Sequence, residues 1–441
     1  MMKRMLLSAG HSGAGKTSIT MGIIGALIRR GMTVASAKIG PDYIDPMYHR
    51  ALGAYGVNLD RHLMDDDYIL HLMAQLEKKD VIVMEGAMGY YDGMATTTAC
   101  SAAEMANFTK TPTIFIASGR GKGASLGAEL QGFLNYGENT ISGVILNHTK
   151  PAMASYYEKI IKEATGLPLF GSIPDLDRDL PERHLGLHRP EEIENFRAFA
   201  ENWADVVENY VDLDKLLAAC AAKSVCREMA MNPLRKKIPV AIAKDEAFFF
   251  YYEDVLDDLA ERGVEWIPFS PLADPLPKGI CGVYLGGGYP ELHKEALAKN
   301  KTLAWDLKSF VESGGVIVAE SGGFMSLLEK IDGSEAFGLF HGEAKMTDRL
   351  QHFGYQVITA EEDGLLLKAG ESAPVHEFHY SAADEEGEDL LIQKPSGRGE
   401  RRTAYHGKNV YAGYPQLHLS GNERLRENFL EALKEATPWQ G

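Results

Sequence analysis

Eight residues near the start of the chain, Gly10-His-Ser-Gly-Ala-Gly-Lys-Thr17, directly follow a short apolar run and precede a helical pattern. At this spacing Gly10, Gly13 and Gly15 let backbone N–H groups turn inward around phosphate oxygens. Lys16 offers a point charge to the outer phosphates, and the Thr17 hydroxyl is of the type that ligates Mg²⁺. The motif predicts binding of ATP with Mg²⁺. Carboxylates follow at two further points. Asp42 and Asp45 lie three apart between prolines in Lys38-Ile-Gly-Pro-Asp-Tyr-Ile-Asp-Pro46. Either can cap a turn, but beside a phosphate loop a fixed carboxylate is what a phosphate-bridging Mg²⁺ requires. Glu85 ends the apolar run 81–84 and is the preferred second carboxylate for Mg²⁺, alongside Thr17 and Asp45. Asn147 closes another apolar run, where its amide could read an adenine edge or simply form a turn.

These residues need a scaffold that presents strand ends side by side. Apolar runs at 5–8, 33–38, 81–84, 113–117 and 143–147 alternate with helical patterns, as expected of buried parallel strands in an α/β sheet, whose C-terminal edge is the ligand edge. Three segments are expected: a phosphate-loop domain over 1–185, a helical linker over 186–236 and a second α/β domain over 237–441. The linker is inferred from a shift to polar, helical composition that ends in the basic run Arg235-Lys-Lys237. In the last segment one helix is expected over 291–312, and runs such as 354–359 and 409–414 suggest an antiparallel extension.

Composition narrows the partners. A formal net charge of −17 disfavours a nucleic-acid scaffold, and no apolar run is long enough to span a membrane. Cys100, Cys220, Cys226 and Cys281 form neither a CxxC pair nor a disulfide-like framework, and no signal peptide is evident, so a cytoplasmic protein is expected.

Together with Glu-Gly-Ala-Met-Gly-Tyr-Tyr-Asp-Gly93 and Leu-Pro-Glu-Arg-His-Leu-Gly-Leu187, the motifs above resemble the cobyrinic acid a,c-diamide synthase family. The resemblance continues through Pro268-Phe-Ser-Pro-Leu-Ala-Asp274, Tyr284-Leu-Gly-Gly-Gly-Tyr-Pro-Glu291 and His376-Glu-Phe-His-Tyr-Ser381, so it covers nearly the whole chain. It implies a dethiobiotin synthetase-like phosphate-loop domain followed by a class I glutamine amidotransferase-like domain. The implied reaction is ATP-dependent amidation of tetrapyrrole carboxylates: the carboxylate is phosphorylated, and ammonia then displaces phosphate. By resemblance Lys38 and Asp42 line the reacting centre, and Asp45 and Glu85 serve the metal and activation site.

The family's second domain places a nucleophilic cysteine on a sharp strand-to-helix turn and a histidine base in a Tyr-x-His-x-His pattern. Here the turn reads Glu320-Ser321-Gly-Gly, and the C-terminal pattern reads Tyr414-Pro-Gln416-Leu-His418. A serine without an adjacent base is a poor nucleophile, and an amide cannot accept its proton. Ser321 and Gln416 therefore mark degenerate nucleophile and base positions, and two losses in one site argue against a single engineered replacement. His376, His379, His406 and His418 remain as candidates to activate Ser321. The expected partners are a carboxylated tetrapyrrole and ammonia or a separate ammonia donor, with a homodimer left open. The alternatives are a carboxylate–amine ligase for another substrate or donor, and a non-catalytic ATP-binding regulator.

Overall fold

The computed structural model of the chain describes residues 2–176, 182–183, 186–187, 189–230, 232–397 and 399–441. The motif that ends at Leu187 lies for the most part outside these residues. The chain divides into two compact units, one formed by Met1–Arg61 and Ile69–Met229, the other by His62–Tyr68 and Ala230–Gly441.

The first unit is built on parallel strands β1 (Met2–Ala9), β2 (Val34–Ile39), β3 (Tyr55–Leu59), β4 (Val81–Gly86), β5 (Thr113–Ser118), β6 (Ile141–Asn147) and β7 (Leu169–Ser172). Their order is β3-β2-β4-β1-β5-β6-β7, with a short antiparallel pairing of Ala221–Ala222 on β1. The strands read as continuous apolar runs because helices cover both faces; Met5, Leu7, Val81, Val83, Ile114 and Ile116 are wholly or almost wholly buried. Helix α1 (Lys16–Arg29) follows the phosphate loop, and α2 (Ile44–Ala51) follows β2. In the register, Lys38 on β2 lies opposite Glu85 on β4, so both side chains emerge at the sheet's C-terminal edge.

The stretch expected as a linker is corrected in part. Helix Phe196–Tyr210 packs on α1 and buries Trp203, Ala204 and Val207 in the core of the first unit. The approach is close: a methyl group added to Gly22 would lie 2.6 Å from the Trp203 carbonyl oxygen. A Gly22→Ala change would force the helices apart, an overpacking cost of about 1–3 kcal/mol.

The second unit has a sheet in the order Val264–Phe269, Ile238–Ala243, Gly282–Leu285, Val316–Glu320, Val410–Gly413, Tyr405–His406. Val410–Gly413 pairs parallel to Val316–Glu320 on one side and antiparallel to Tyr405–His406 on the other, so the antiparallel placement expected for it holds on one side. The antiparallel extension is formed by His352–Ala360 with Ser372–His379 and Leu390–Gln393. The helix expected over 291–312 is divided into Pro290–His293, Lys294–Lys299 and Lys301–Glu312. It breaks at Asn300, which leaves helical geometry and caps the last helix by accepting from Leu303 N.

Candidate active site

In the first unit four elements converge on one buried cluster. Thr17 opens α1, Lys38 ends β2, Asp45 lies in the first turn of α2, and Glu85 ends β4. Glu85 Oε1 accepts from Thr17 Oγ1 at 2.7 Å and from Lys38 Nζ at 2.9 Å. Lys38 Nζ also donates to Asp45 Oδ2, which lies 3.4 Å from Thr17 Oγ1. Lys38, Asp45 and Glu85 are all buried, so any charge among them needs a partner within the cluster.

Asp42 realises the turn reading while remaining at the site. Its Oδ1 accepts from Ile44 N and Asp45 N, at 2.9 and 3.2 Å, and thereby starts α2; its Oδ2 lies 3.9 Å from Lys38 Nζ. Burial drives Asp45 well above the usual carboxylate range, reinforced by the Asp42 charge and opposed by Lys38. Burial pushes Glu85 upward as well, but Lys38 and His49 outweigh it and hold Glu85 below its ordinary value. Burial works against charge on Lys38, yet Asp45 and Glu85 prevail and raise it. For Lys16 the balance goes the other way: burial and the charge of Lys38 outweigh Glu85, Asp45 and Asp92 and push it down to about 8. Its Nζ donates to the carbonyls of His11 and Met88, at 3.0 and 2.7 Å.

Gly15 takes φ +87, a left-handed conformation that starts α1 and favours glycine. Asn147 adds a second constraint there. Its Nδ2 donates to the Ala14 carbonyl at 3.0 Å, and a methyl group on Gly15 would meet that nitrogen at 2.3 Å. One of the two amide hydrogens of Asn147 is thus spent on the phosphate loop. Beside the loop, a cavity of about 210 Å³ opens between Gly10, Ala14, Ser118 and His148, with Arg120 and Lys122 on its rim.

The second unit brings its own predicted residues together. Ser321 has φ 50 and ψ −112 between strand Val316–Glu320 and helix Gly322–Leu327, the strained turn that exposes a nucleophile. A methyl group on Gly323 would lie 2.0 Å from the Leu285 carbonyl oxygen, and one on Gly322 would lie 3.0 Å from that of Gly288. The turn following Gly282–Leu285 therefore abuts the serine elbow. Gln416 reaches the same turn: its Nε2 would be 3.4 Å from a methyl group on Gly287. Its main chain is fixed by paired hydrogen bonds with His376, at 2.9 and 3.1 Å.

Three of the four histidines considered as substitutes have ring nitrogens committed elsewhere. His418 Nδ1 accepts from Gly421 N at 2.9 Å, and its Nε2 lies 3.0 Å from Asp254 Oδ2. His406 Nε2 accepts from Leu366 N and Leu367 N, and burial lowers this ring to about 4. His379 Nδ1 donates to the Ser381 carbonyl at 2.7 Å while the ring stacks on Tyr414 at 3.9 Å; burial also lowers it to about 4.

Two residues of these sites carried no sequence signal taken up above. Glu320, just before the elbow, accepts from Leu417 N at 2.7 Å and Tyr284 OH at 3.0 Å, and burial pushes it up to about 7. His49 is fully buried with Nε2 3.4 Å from Glu85 Oε2. Its place four residues after Asp45, on the same face of a helix, is the signal that could have found it.

A phosphate loop backed by a Lys–carboxylate cluster, in one chain with an amidotransferase-type elbow, defines an ATP-dependent carbon–nitrogen ligase of two parts. Residues 5–187 match the CobQ/CobB/MinD/ParA nucleotide binding domain, and residues 239–424 match the CobB/CobQ-like glutamine amidotransferase domain. The cobyrinate a,c-diamide synthase of Clostridium acetobutylicum is 36% identical over 431 residues, covering 96% of this chain and 98% of that protein. The same-named protein of Listeria monocytogenes serotype 4b is 38% identical over 456 residues, covering 98% and 100%. The chain belongs to the cobyrinate a,c-diamide synthase family.

Proposed function

We propose that this enzyme converts side-chain carboxylates of a cobyrinate-type tetrapyrrole to amides through an acyl phosphate, with ammonia rather than glutamine as its nitrogen source. A carboxylate oxygen attacks the γ-phosphorus of ATP and ADP leaves. Ammonia then attacks the acyl carbon, inorganic phosphate leaves, and one proton is released. Lys16 and the loop N–H groups carry phosphate charge, and Lys38 faces the charge that develops on the transferring group. Asp42 sets the start of α2 and with it the position of Asp45. Asn147 holds the phosphate loop for the nucleotide, and the neighbouring cavity suits its base or ribose.

The donor set fits Mg²⁺, since a hydroxyl and two carboxylates are hard oxygen ligands and the ion takes its remaining ligands from phosphates and water. Thr17, Asp45 and Glu85 would hold it, and it would neutralise phosphate charge. The four cysteines are unpaired, which suits the cytoplasm.

The observation that carries the activation half is the single cluster joining Thr17, Lys38, Asp45 and Glu85. The ammonia half is supported by Ser321 and Gln416 standing at one turn in the two positions where the family pattern has its thiol and its imidazole. The test is incubation of the purified chain with Mg-ATP and cobyrinic acid, comparing ammonium with glutamine by mass spectrometry. Amide formation with ammonium alone is expected. Glutamine-driven amidation would overturn the ammonia half, and no amide from either source would overturn the whole reading.

A further inference from the structure

The phosphate-loop machinery accounts for one oxygen of Glu85 and leaves the other. Oε1 receives Thr17 and Lys38, whereas Oε2 is buried without a hydrogen bond that meets strict geometry. The polar atom beside it is His49 Nε2, at 3.4 Å, and both side chains are completely buried. Among the described residues neither ring nitrogen of His49 makes a hydrogen bond of strict geometry, and Glu85 Oε2 is the polar atom that Nε2 approaches. A buried imidazole at that distance from a buried carboxylate oxygen is explained by one task, donation of Nε2–H to that oxygen.

We infer that His49 is a positioning residue of the amidation site: by holding Oε2 it fixes which oxygen of Glu85 faces Thr17 and Lys38. The inference rests on the activity proposed above. The last torsion of a glutamate is broad and roughly two-fold, so a carboxylate held through one oxygen alone is free to swivel. His49 removes that freedom at the oxygen that Thr17 and Lys38 leave unused. Asp45 and His49 lie one turn apart on α2, so the helix that brings Asp45 to Lys38 also brings the imidazole to Glu85. One helix thereby sets the orientation of both carboxylates, and its own start is set by Asp42.

The test uses the full-length chain with His49→Phe, which keeps an aromatic ring without the donor, His49→Gln, which places an amide N–H near the position of Nε2, and His49→Asn, which does not reach it. Thermal melting establishes folding, calorimetry reads MgADP binding, and mass spectrometry with ammonium reads amidation. The expected result is a loss in kcat of about tenfold to a hundredfold for Phe and Asn, the scale of a misplaced catalytic group. The KM for the tetrapyrrole should stay within about threefold, MgADP affinity should fall along with kcat because Glu85 is one of the groups that would hold Mg²⁺, and Gln should recover most of both. If the Phe variant does not fold, the contrast between Gln and Asn decides. Wild-type kcat in a folded Phe or Asn variant, or equal losses in Gln and Asn, would overturn the inference while leaving the proposed activity standing. A wild-type enzyme that forms no amide would instead remove the parent reading, and this one with it.

Discussion

The two units keep different things. In the first, the framework and the chemistry are both present: a loop for phosphates, and a lysine between two carboxylates at adjoining strand ends. In the second, the framework alone is kept. Ser321 retains the left-handed φ of a nucleophile elbow, and Gly322 and Gly323 still permit its close seating on the turn after Leu285. The thiol and imidazole that would make the elbow reactive have been replaced. Strained backbone costs of the order of 1–3 kcal/mol and persists where its surroundings over-determine it. Here the glycine contacts and the buried Glu320, bound to Leu417 N and Tyr284 OH, are such surroundings, so the elbow keeps its shape with serine in it.

The comparison breaks most visibly at Lys16. If the first unit supplies the energy of the reaction, Lys16→Ala should lower ATP-dependent amide formation by about a thousandfold or more, the scale at which cationic groups act on a transferring phosphoryl. The measurement is product by mass spectrometry at saturating ammonium, with thermal melting as the control for folding. Product formation untouched by the change would remove the first unit from the chemistry.

How much of this was legible from residues alone differs between the units for physical reasons. Thr17, Lys38, Asp45 and Glu85 sit in short motifs whose meaning is local: strand, turn and helix cap occur within a few residues, and the parallel sheet brings the motifs together. Ser321 and Gln416 were legible only by resemblance, since a lone serine and a lone glutamine carry no pattern of their own. His49 escaped because its partner is on another element, and a histidine in a helix reads as packing. The stretch 196–210 was taken for a linker because its polar face dominates its composition, while the buried stripe of Ala200, Trp203, Ala204 and Val207 shows only once α1 is seen beneath it. For Val410–Gly413 the antiparallel neighbour Tyr405–His406 was within reach of the sequence and the parallel neighbour Val316–Glu320 was not, because a short apolar run does not encode the direction of a partner distant in the chain.

A smaller effect would sharpen the contrast between the two lysines of the first unit. Lys38, matched by Asp45 and Glu85, is raised and stays charged throughout the working range, while burial and the Lys38 charge lower Lys16 to about 8. Phosphates bind the ammonium form, so affinity is complete below that value and declines as pH rises through it. Calorimetric titration with MgADP should show affinity at pH 9 about tenfold below that at pH 7, with a proton taken up on binding at the higher pH. A flat profile over that range would mean that the loop lysine is charged irrespective of its neighbours.

The smallest effect is expected at the elbow. Ser321→Ala removes the hydroxyl at the nucleophile position and should leave ammonium-dependent amidation within about twofold of wild type, because free ammonia does not need glutamine to be hydrolysed at this elbow. The Gln416 amide, which holds the family's base position, cannot accept the hydroxyl's proton. The reverse change asks whether the framework is sound. A chain with Ser321→Cys and Gln416→His places a thiol on the intact elbow and an imidazole beside the same glycine turn, and it should release glutamate from glutamine where wild type does not. A drop in ammonium-dependent rate with Ser321→Ala would show that the serine still works, and a silent double variant would show that the framework has been lost along with the two side chains.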